Sequence, residues 1–127
     1  MQENDIRIFE LKKKDLRGAT IIDGFPSVGL VSSISANYLI KVLKMEHVGI
    51  MDSPQFPTVS LIRDATPLSP VRIYASDKGQ RGDQLVAFIS EFQAPANLIR
   101  PISRVLVDWA VEQRWRMIVS PEGLVLD

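Results

Sequence analysis

The hydrophobic pattern changes from strand to helix and back to strand between Thr20 and Asp52, an order typical of α/β folds. Thr20–Asp23 is a short β-branched run that ends at glycine and proline. Apolar residues then recur at helical spacing from Val28 to Met45, and strand character returns at Val48–Asp52. Such crossovers are almost always right-handed and join parallel strands, so the pattern predicts an α/β domain.

The first predicted helix has one apolar side and one polar side. The residues at apolar helical spacing are Val31, Ile34, Tyr38, Val42 and Met45. The other side carries Ser32, Ser33, Asn37, Lys41 and Lys44. An amphipathic helix ordinarily buries its apolar stripe, so we expect the first set to face the sheet and the second to face water.

The other strand candidates are Ile6–Leu11, Thr58–Ile62, Val71–Ala75, Gln84–Ser90 and Met117–Ser120. The three in the middle leave no room for helices between them, which predicts an antiparallel meander. A second helix is predicted over Asn97–Gln113, and Pro101 favours a start close to that proline. Its core stripe includes Ile99 and Trp109, whereas Trp115 lies off the stripe, where it could be exposed at an interface.

The whole chain of 127 residues fits one domain, residues 1–127. Parallel strands buried on both faces need helices on both sides, so we expect a three-layer α/β/α arrangement around a mixed sheet. Two helices are few for six or seven strands, and the last strand is followed only by Pro121-Glu122-Gly123 and an apolar tail. The domain is therefore expected to be incomplete in this chain, with an uncovered apolar surface that favours self-association.

Composition excludes several classes of function. The chain has no cysteine and one histidine, which argues against disulfides, zinc fingers, thiol catalysis and a multi-histidine metal site. Fifteen basic residues balance fifteen acidic ones, so nothing favours nucleic acid or an anionic membrane as a partner. The polar amino terminus and the lack of a long apolar run predict a cytoplasmic protein, and no cofactor or metal is expected.

Ligands of open α/β sheets bind at the carboxyl ends of the strands. In this chain that edge is expected to collect Gly24–Gly29, Asp52–Pro57, Glu91–Gln93 and Pro121–Gly123. The first of these segments opens a helix as a phosphate-binding loop does, but it lacks the lysine and hydroxyl residue of a P-loop. A structural turn is favoured over a nucleotide loop, and an exposed Phe25-Pro26 suits contact with a protein.

Four carboxylates could converge at the same edge: Asp23, Asp52, Glu91 and Glu122. Together they could hold Mg²⁺ or serve acid–base chemistry, but capping of helices and bonding of loop amides is the preferred interpretation. His47 is expected to be a connector residue at the amino ends of the strands, on the wrong side for a catalytic triad.

Several short motifs in order carry a resemblance to a known family. They are Gly24–Val31 leading into Ala36–Ile40, Val48–Ile50 with Ser53–Pro57, Arg72–Tyr74, Glu91–Gln93 and Val107–Ala110. In this arrangement the chain resembles the proteasome assembly chaperone 2 family, of which it covers only the amino-terminal half.

The resemblance implies a fold similar to nucleoside phosphorylases without their catalytic set. It implies a non-enzymatic protein that self-associates and binds proteasome α-subunits. The residues expected to form the partner-contact or ligand edge are Gly24, Phe25, Pro26, Ser27, Gly29, Asp52, Phe56, Glu91 and Gln93. The alternative is a small-molecule or nucleotide-binding α/β enzyme with a carboxylate and Mg²⁺ site at the same strand ends.

Overall fold

The computed structural model describes residues 6–26, 31–57, 61–63 and 66–121. Its elements in chain order are β1 (Arg7–Glu10), β2 (Thr20–Gly24), α1 (Val31–Val42), β3 (Glu46–Asp52), β4 (Leu61–Arg63), β5 (Thr66–Leu68), β6 (Val71–Ala75), β7 (Leu85–Ser90), α2 (Ala96–Gln113) and β8 (Met117–Val119). Among these described helices, neither is both long and apolar enough to cross a bilayer.

Six strands form one mixed sheet in the order β1-β3-β6-β7-β2-β8. Strand β2 pairs in parallel with β7 and β8, whereas β3 and β6 are antiparallel to their neighbours. Strands β2 and β3 thus run in the same direction, but β6 and β7 are inserted between them. The expected crossover therefore joins two strands that do not pair.

The expected three-stranded meander is only partly correct. Strands β6 and β7 do form an antiparallel pair, with Val71 opposite Ser90 and Ala75 opposite Val86. Strand β4 instead pairs with β5 in a separate two-stranded sheet. The loop between Ala75 and Leu85 is closed by Gly79, whose amide donates to the carbonyl oxygen of Asp83 at 2.7 Å.

The two helices cover opposite faces of the sheet, which confirms the α/β class. Successive strand residues point to opposite faces. One set (Ile22, Ala87 and Ile89) packs with Ala36 of α1. The alternate set (Ile21, Val86 and Phe88) packs with Leu98, Ile102, Leu106 and Trp109 of α2.

Helix α1 is rotated relative to the expectation from its apolar pattern. Ser32 and Ala36 are buried against the sheet, whereas Ile34, Tyr38 and Val42 are each more than half exposed. The expectation that the stripe faces the core was therefore wrong for these three residues, although Met45, at its end, is buried. The sheet accepts the side of the helix with the smallest side chains, and the large apolar residues are left on the outside.

A close approach between α1 and β2 explains that choice. A Cβ atom added at Gly24 would lie 2.6 Å from the Cβ of Ala36 and 2.8 Å from the carbonyl oxygen of Phe88. Real Cβ atoms essentially never come so near to other heavy atoms. Larger residues of α1 would not fit at this distance, so the helix turns its small residues inward.

Helix α2 begins at Ala96, so Pro101 lies beyond the first turn and not within it as expected. Trp109 is buried, as predicted. Trp115, which lies off the stripe and could have been exposed, is half-buried against the core, with its ring centroid 4.9 Å from that of Trp109. Ile99 is exposed, although its spacing placed it on the core stripe.

Candidate functional site

The ends of β2, β3, β7 and β8 lie at one edge of the sheet because these strands run in the same direction. This carboxyl edge holds Gly24, Asp52 and Glu91, together with the turns that follow their strands. Ser27, Gly29 and Glu122 fall outside the described residues.

The turn after β2 is built by side chains that bond its backbone. The Asp23 carboxylate accepts a hydrogen bond from the Phe25 amide at 3.0 Å. From the first turn of α1, the Ser32 hydroxyl donates to the carbonyl oxygen of Phe25 at 2.5 Å, and Ser33 donates to that of Gly24 at 3.1 Å. These bonds order the turn and leave Phe25 and Pro26 half-buried at its tip.

A groove of about 230 Å³ opens between this turn and helix α2. Its lining residues are Asp23, Phe25, Pro26, Gln93, Ala94, Ile99, Ile102, Ser103 and Leu106. Apolar side chains predominate, and the polar groups are one carboxylate, one amide and one hydroxyl. This mixture resembles the composition of sites that bind an apolar side chain and orient it by a few polar contacts.

Glu91 forms an ion pair that reaches into the sheet. The guanidinium of Arg72 donates from one nitrogen to Glu91 at 2.6 Å and from another to the carbonyl oxygen of Ser69 at 3.0 Å. Its third nitrogen donates to the Tyr74 hydroxyl at 3.2 Å. The Arg72 side chain is 1% exposed and that of Glu91 is 44% exposed. The ion pair therefore links the surface turn that begins at Glu91 to a buried arginine of β6.

The turn after β7 is ordered in the same way as the one after β2. The Ser90 hydroxyl accepts from the Phe92 amide at 3.2 Å and donates to the Phe92 carbonyl oxygen at 2.7 Å. The ring of Phe92 packs 5.2 Å from that of Phe56. Phe56 is buried, as is Gly24, so both support the edge from inside and do not present a surface to a partner.

The predicted carboxylates lie in different places on this edge. Asp23 borders the groove and accepts from Ser120 at 3.3 Å, whereas Glu91 is paired with Arg72 on the other face. Asp52 is exposed at the β1 side, opposite Arg7 in the strand register. Within residues 6–26, 31–57, 61–63 and 66–121, no three metal-ligating side chains lie close enough to share an ion. Of these carboxylates, Asp23 bonds a turn amide as the preferred interpretation expects, whereas Glu91 pairs with the Arg72 side chain.

His47 lies inside β3 and not in a connector, because that strand begins at Glu46. Its ring stacks on Tyr74 with the centroids 5.0 Å apart, and burial lowers the pKa of the imidazole. Nearby, hydrogen bonds from Lys12 and Lys14 lower the pKa of Glu46 to about 2. Lys12, Lys14 and Glu46 thus form ion pairs at the amino ends of the strands, on the edge opposite the groove.

Several residues of the edge were not predicted. The sequence pattern places Ser32 and Ser33 on the solvent-facing side of α1, and it gives no reason to place Ser103 or Ile99 in a site. Arg72 appeared only within a resemblance motif. A charged residue inside an otherwise apolar strand, Val71–Ala75, was the one available signal, since a buried charge requires a partner.

Together, these features define an α/β protein with a mixed sheet, a helix on each face and an apolar groove at its carboxyl edge. The chain belongs to the PAC2 family, whose sequence profile matches residues 21–127. The resemblance drawn from the motifs is thereby confirmed.

Solved structures show the same fold. PbaA of Pyrococcus furiosus, an archaeal homologue of proteasome-assembly chaperone, is 29% identical, with a TM-score of 0.75 over 91% of this chain. PbaB of the same organism, an archaeal proteasome activator, is 22% identical, with a TM-score of 0.74 over 93% of this chain. An uncharacterized protein of Methanocaldococcus jannaschii is 29% identical over 73 residues, which are 58% of this chain.

The chain spans about half the length of the two solved relatives, 47% of PbaA and 51% of PbaB. It aligns with 31% of the Methanocaldococcus protein.

Proposed function

We propose that this protein is a non-enzymatic, chaperone-like protein of proteasome assembly that binds proteasome α-subunits and self-associates. Membership of the PAC2 family, together with the shared fold and 29% identity to PbaA, carries the proposal. The carboxyl edge supports a binding role, because its polar side chains bond turns while an apolar groove remains open beside them.

The groove is the surface through which we expect an α-subunit to bind. Phe25, Pro26 and Gln93 line it, and each of these was among the residues expected to contact a partner. The exposed Ile99 lies on its α2 side. An apolar residue of the partner placed here would be surrounded by apolar surface and anchored by hydrogen bonds, as are the dominant residues of many interfaces.

An Ile99→Asp substitution is expected to weaken binding to α-subunits by about tenfold or more, because it puts a charge into an apolar contact. Light scattering of mixtures with purified α-subunits measures this effect. The matched control is Val111→Asp, which changes a 74% exposed apolar residue of the same helix that does not line the groove. Absence of any association by the unmodified protein at micromolar concentration would contradict the proposed function, and equal losses in the two variants would contradict the location.

The outer side of α1 is the surface that we expect to mediate self-association. Ile34, Tyr38 and Val42 form an exposed stripe at helical spacing, which a soluble monomer seldom leaves uncovered. An Ile34→Asp/Tyr38→Asp variant is expected to sediment as a smaller species than the unmodified protein at the same concentration. Val107→Asp/Val111→Asp, on exposed positions of α2, is the control with the same charge change. A monomeric unmodified protein, or dissociation by the α2 control alone, would refute this assignment.

A second candidate, an enzyme with a carboxylate and Mg²⁺ site, receives no support from the described edge. Calorimetric titration with Mg²⁺ distinguishes the two functions. Saturable binding that Asp52→Ala or Glu91→Ala weakens would favour the enzyme.

A further inference from the structure

A second cleft, on the opposite end of the sheet from β8, is not used by the proposed function. It has a volume of about 590 Å³ and lies between strand β1 and helix α2. Its lining residues are Ile6, Arg7, Ile8, Phe9, Glu10, Val105, Asp108, Trp109 and Glu112. Within the described residues, none of these belongs to the groove at the carboxyl edge.

One wall of this cleft is a sheet edge. Strand β1 pairs only with β3 in the described sheet and ends the strand order. Natural edge strands are commonly protected by short length, charged side chains, proline or a bulge. Strand β1 is short and carries Arg7 and Glu10, but it has no proline and no bulge in its pairing with β3, and Phe9 is nearly half exposed. Such an edge is suited to pair with another extended strand.

The other wall and the floor of the cleft determine which kind of strand would fit beside β1. Val105, Asp108, Trp109 and Glu112 are spaced so that they share one side of α2. The buried Ile6 and Trp109 and the half-buried Ile8 and Val105 form an apolar floor. Long basic side chains can cover such a floor with their methylene groups while their charged ends remain at the rim.

The rim is acidic on balance. Glu10 of β1 and Asp108 and Glu112 of α2 are all exposed at the cleft, and in the described part of the chain none of them forms an ion pair, whereas Arg7 is the one basic residue of the lining. On the adjoining loop, Lys12 and Lys14 are paired with Glu46, and Lys13 lines a neighbouring pocket with Glu10 and Glu112. The chain as a whole is neutral, so the acidic character is local.

We propose that β1 and this acidic cleft bind an extended, basic segment of a partner protein, which adds a strand to the sheet and places alternate lysine or arginine side chains against Glu10, Asp108 and Glu112. Side chains of a strand alternate between faces, so the residues between the basic ones would lie beside Phe9 on the other face. A second copy of this chain fits poorly, because two-fold pairing through β1 would bring the acidic residues of two such clefts together.

A dye-labelled octapeptide of alternating lysine and valine is the probe, and fluorescence anisotropy is the measurement. We expect saturable binding that weakens as the salt concentration rises. The double variant Asp108→Asn/Glu112→Gln is expected to bind the peptide about tenfold more weakly, since it removes two charges that face the basic side chains. The control Asp83→Asn removes a charge from the exposed loop between β6 and β7 at a position outside the ion pairs of Asp77 and Lys14, and it is expected to bind the peptide normally.

A second peptide separates strand pairing from simple charge attraction. Methylation of its inner backbone nitrogens keeps every charge but removes the hydrogen-bond donors, so its binding is expected to be lost. Equal binding of the two peptides would overturn the pairing with β1. Failure of the first peptide to bind, or an unchanged affinity in the Asp108→Asn/Glu112→Gln variant, would overturn the site. A dimer of this protein that dissociates on adding the peptide would show that a second copy is the occupant, and would overturn the assignment to a partner.

Discussion

A Glu91→Ala variant is expected to lose about 3 kcal/mol of its free energy of unfolding, because Arg72 then stays buried without a counter-charge. The Arg72 side chain is 1% exposed while the half-exposed Glu91 covers it, so the variant removes the charged partner of a guanidinium that is otherwise enclosed by protein. Its remaining partners, the Ser69 carbonyl and the Tyr74 hydroxyl, are neutral. Urea unfolding at neutral pH measures the change.

Removal of the arginine itself is expected to have a smaller effect. In Arg72→Met the buried charge is gone, and the half-exposed Glu91 can be hydrated, so we expect a loss of about 1 kcal/mol from the unpaired Ser69 carbonyl and Tyr74 hydroxyl. The double variant Arg72→Met/Glu91→Ala is expected to match Arg72→Met alone. If Glu91→Ala is no more destabilising than Arg72→Met, then the unpaired guanidinium is not the source of the loss, and this explanation is contradicted.

A Gly24→Ala variant is expected to lose about 2 to 3 kcal/mol of its free energy of unfolding, because the added methyl group overlaps its neighbours. One of them, the Phe88 carbonyl oxygen at 2.8 Å, belongs to the central strand β7 and cannot rotate away. The other, Ala36, can move only if helix α1 moves. Thermal or urea unfolding measures the loss, and Gly79→Ala is the control, since its added Cβ would meet nothing nearer than 3.6 Å.

The Gly24→Ala variant also tests whether the packing of α1 against β2 orders the turn at the carboxyl edge. Displacement of α1 would disturb the bonds from Ser32 and Ser33 to the turn that carries Phe25. We therefore expect changed backbone amide resonances at residues 23–25 as well as reduced stability. Ala36→Gly should recover part of the loss, less about 1 kcal/mol for a glycine within a helix. A Gly24→Ala protein as stable as Gly79→Ala would contradict the close approach of α1 and β2.

Local patterns predicted the elements well where short-range physics decides them. Helix α2, expected over Asn97–Gln113, runs over Ala96–Gln113, and the strands at Val71–Ala75 and Gln84–Ser90 pair as expected. Hydrophobic periodicity and turn residues act over a few positions, so they can be recognised without knowledge of the fold. The α/β class follows from the order of these elements, and the motifs were sufficient to indicate the family.

The sequence predicted where the candidate site lies, but not the side-chain contacts that form it. That Phe25, Pro26 and Gln93 lie at the carboxyl edge followed from the strand ends, and their role as a contact surface stays a prediction. The groove that they share with Ile99 depends on how α2 crosses the sheet. The pairing of Glu91 with Arg72 joins strands β6 and β7 across a register that no local pattern specifies.

The residues alone thus determined both helices and the six strands of the main sheet, though not β5, and they place a charged side chain within an apolar strand at Arg72. The assembled sheet decided that β6 and β7 separate β2 from β3, and that α1 presents Ile34, Tyr38 and Val42 to the outside. The physical reason is steric. A helix pattern states which side chains share a face, but the contact with Gly24 admits only the smallest of them, and that contact exists only once distant segments have come together.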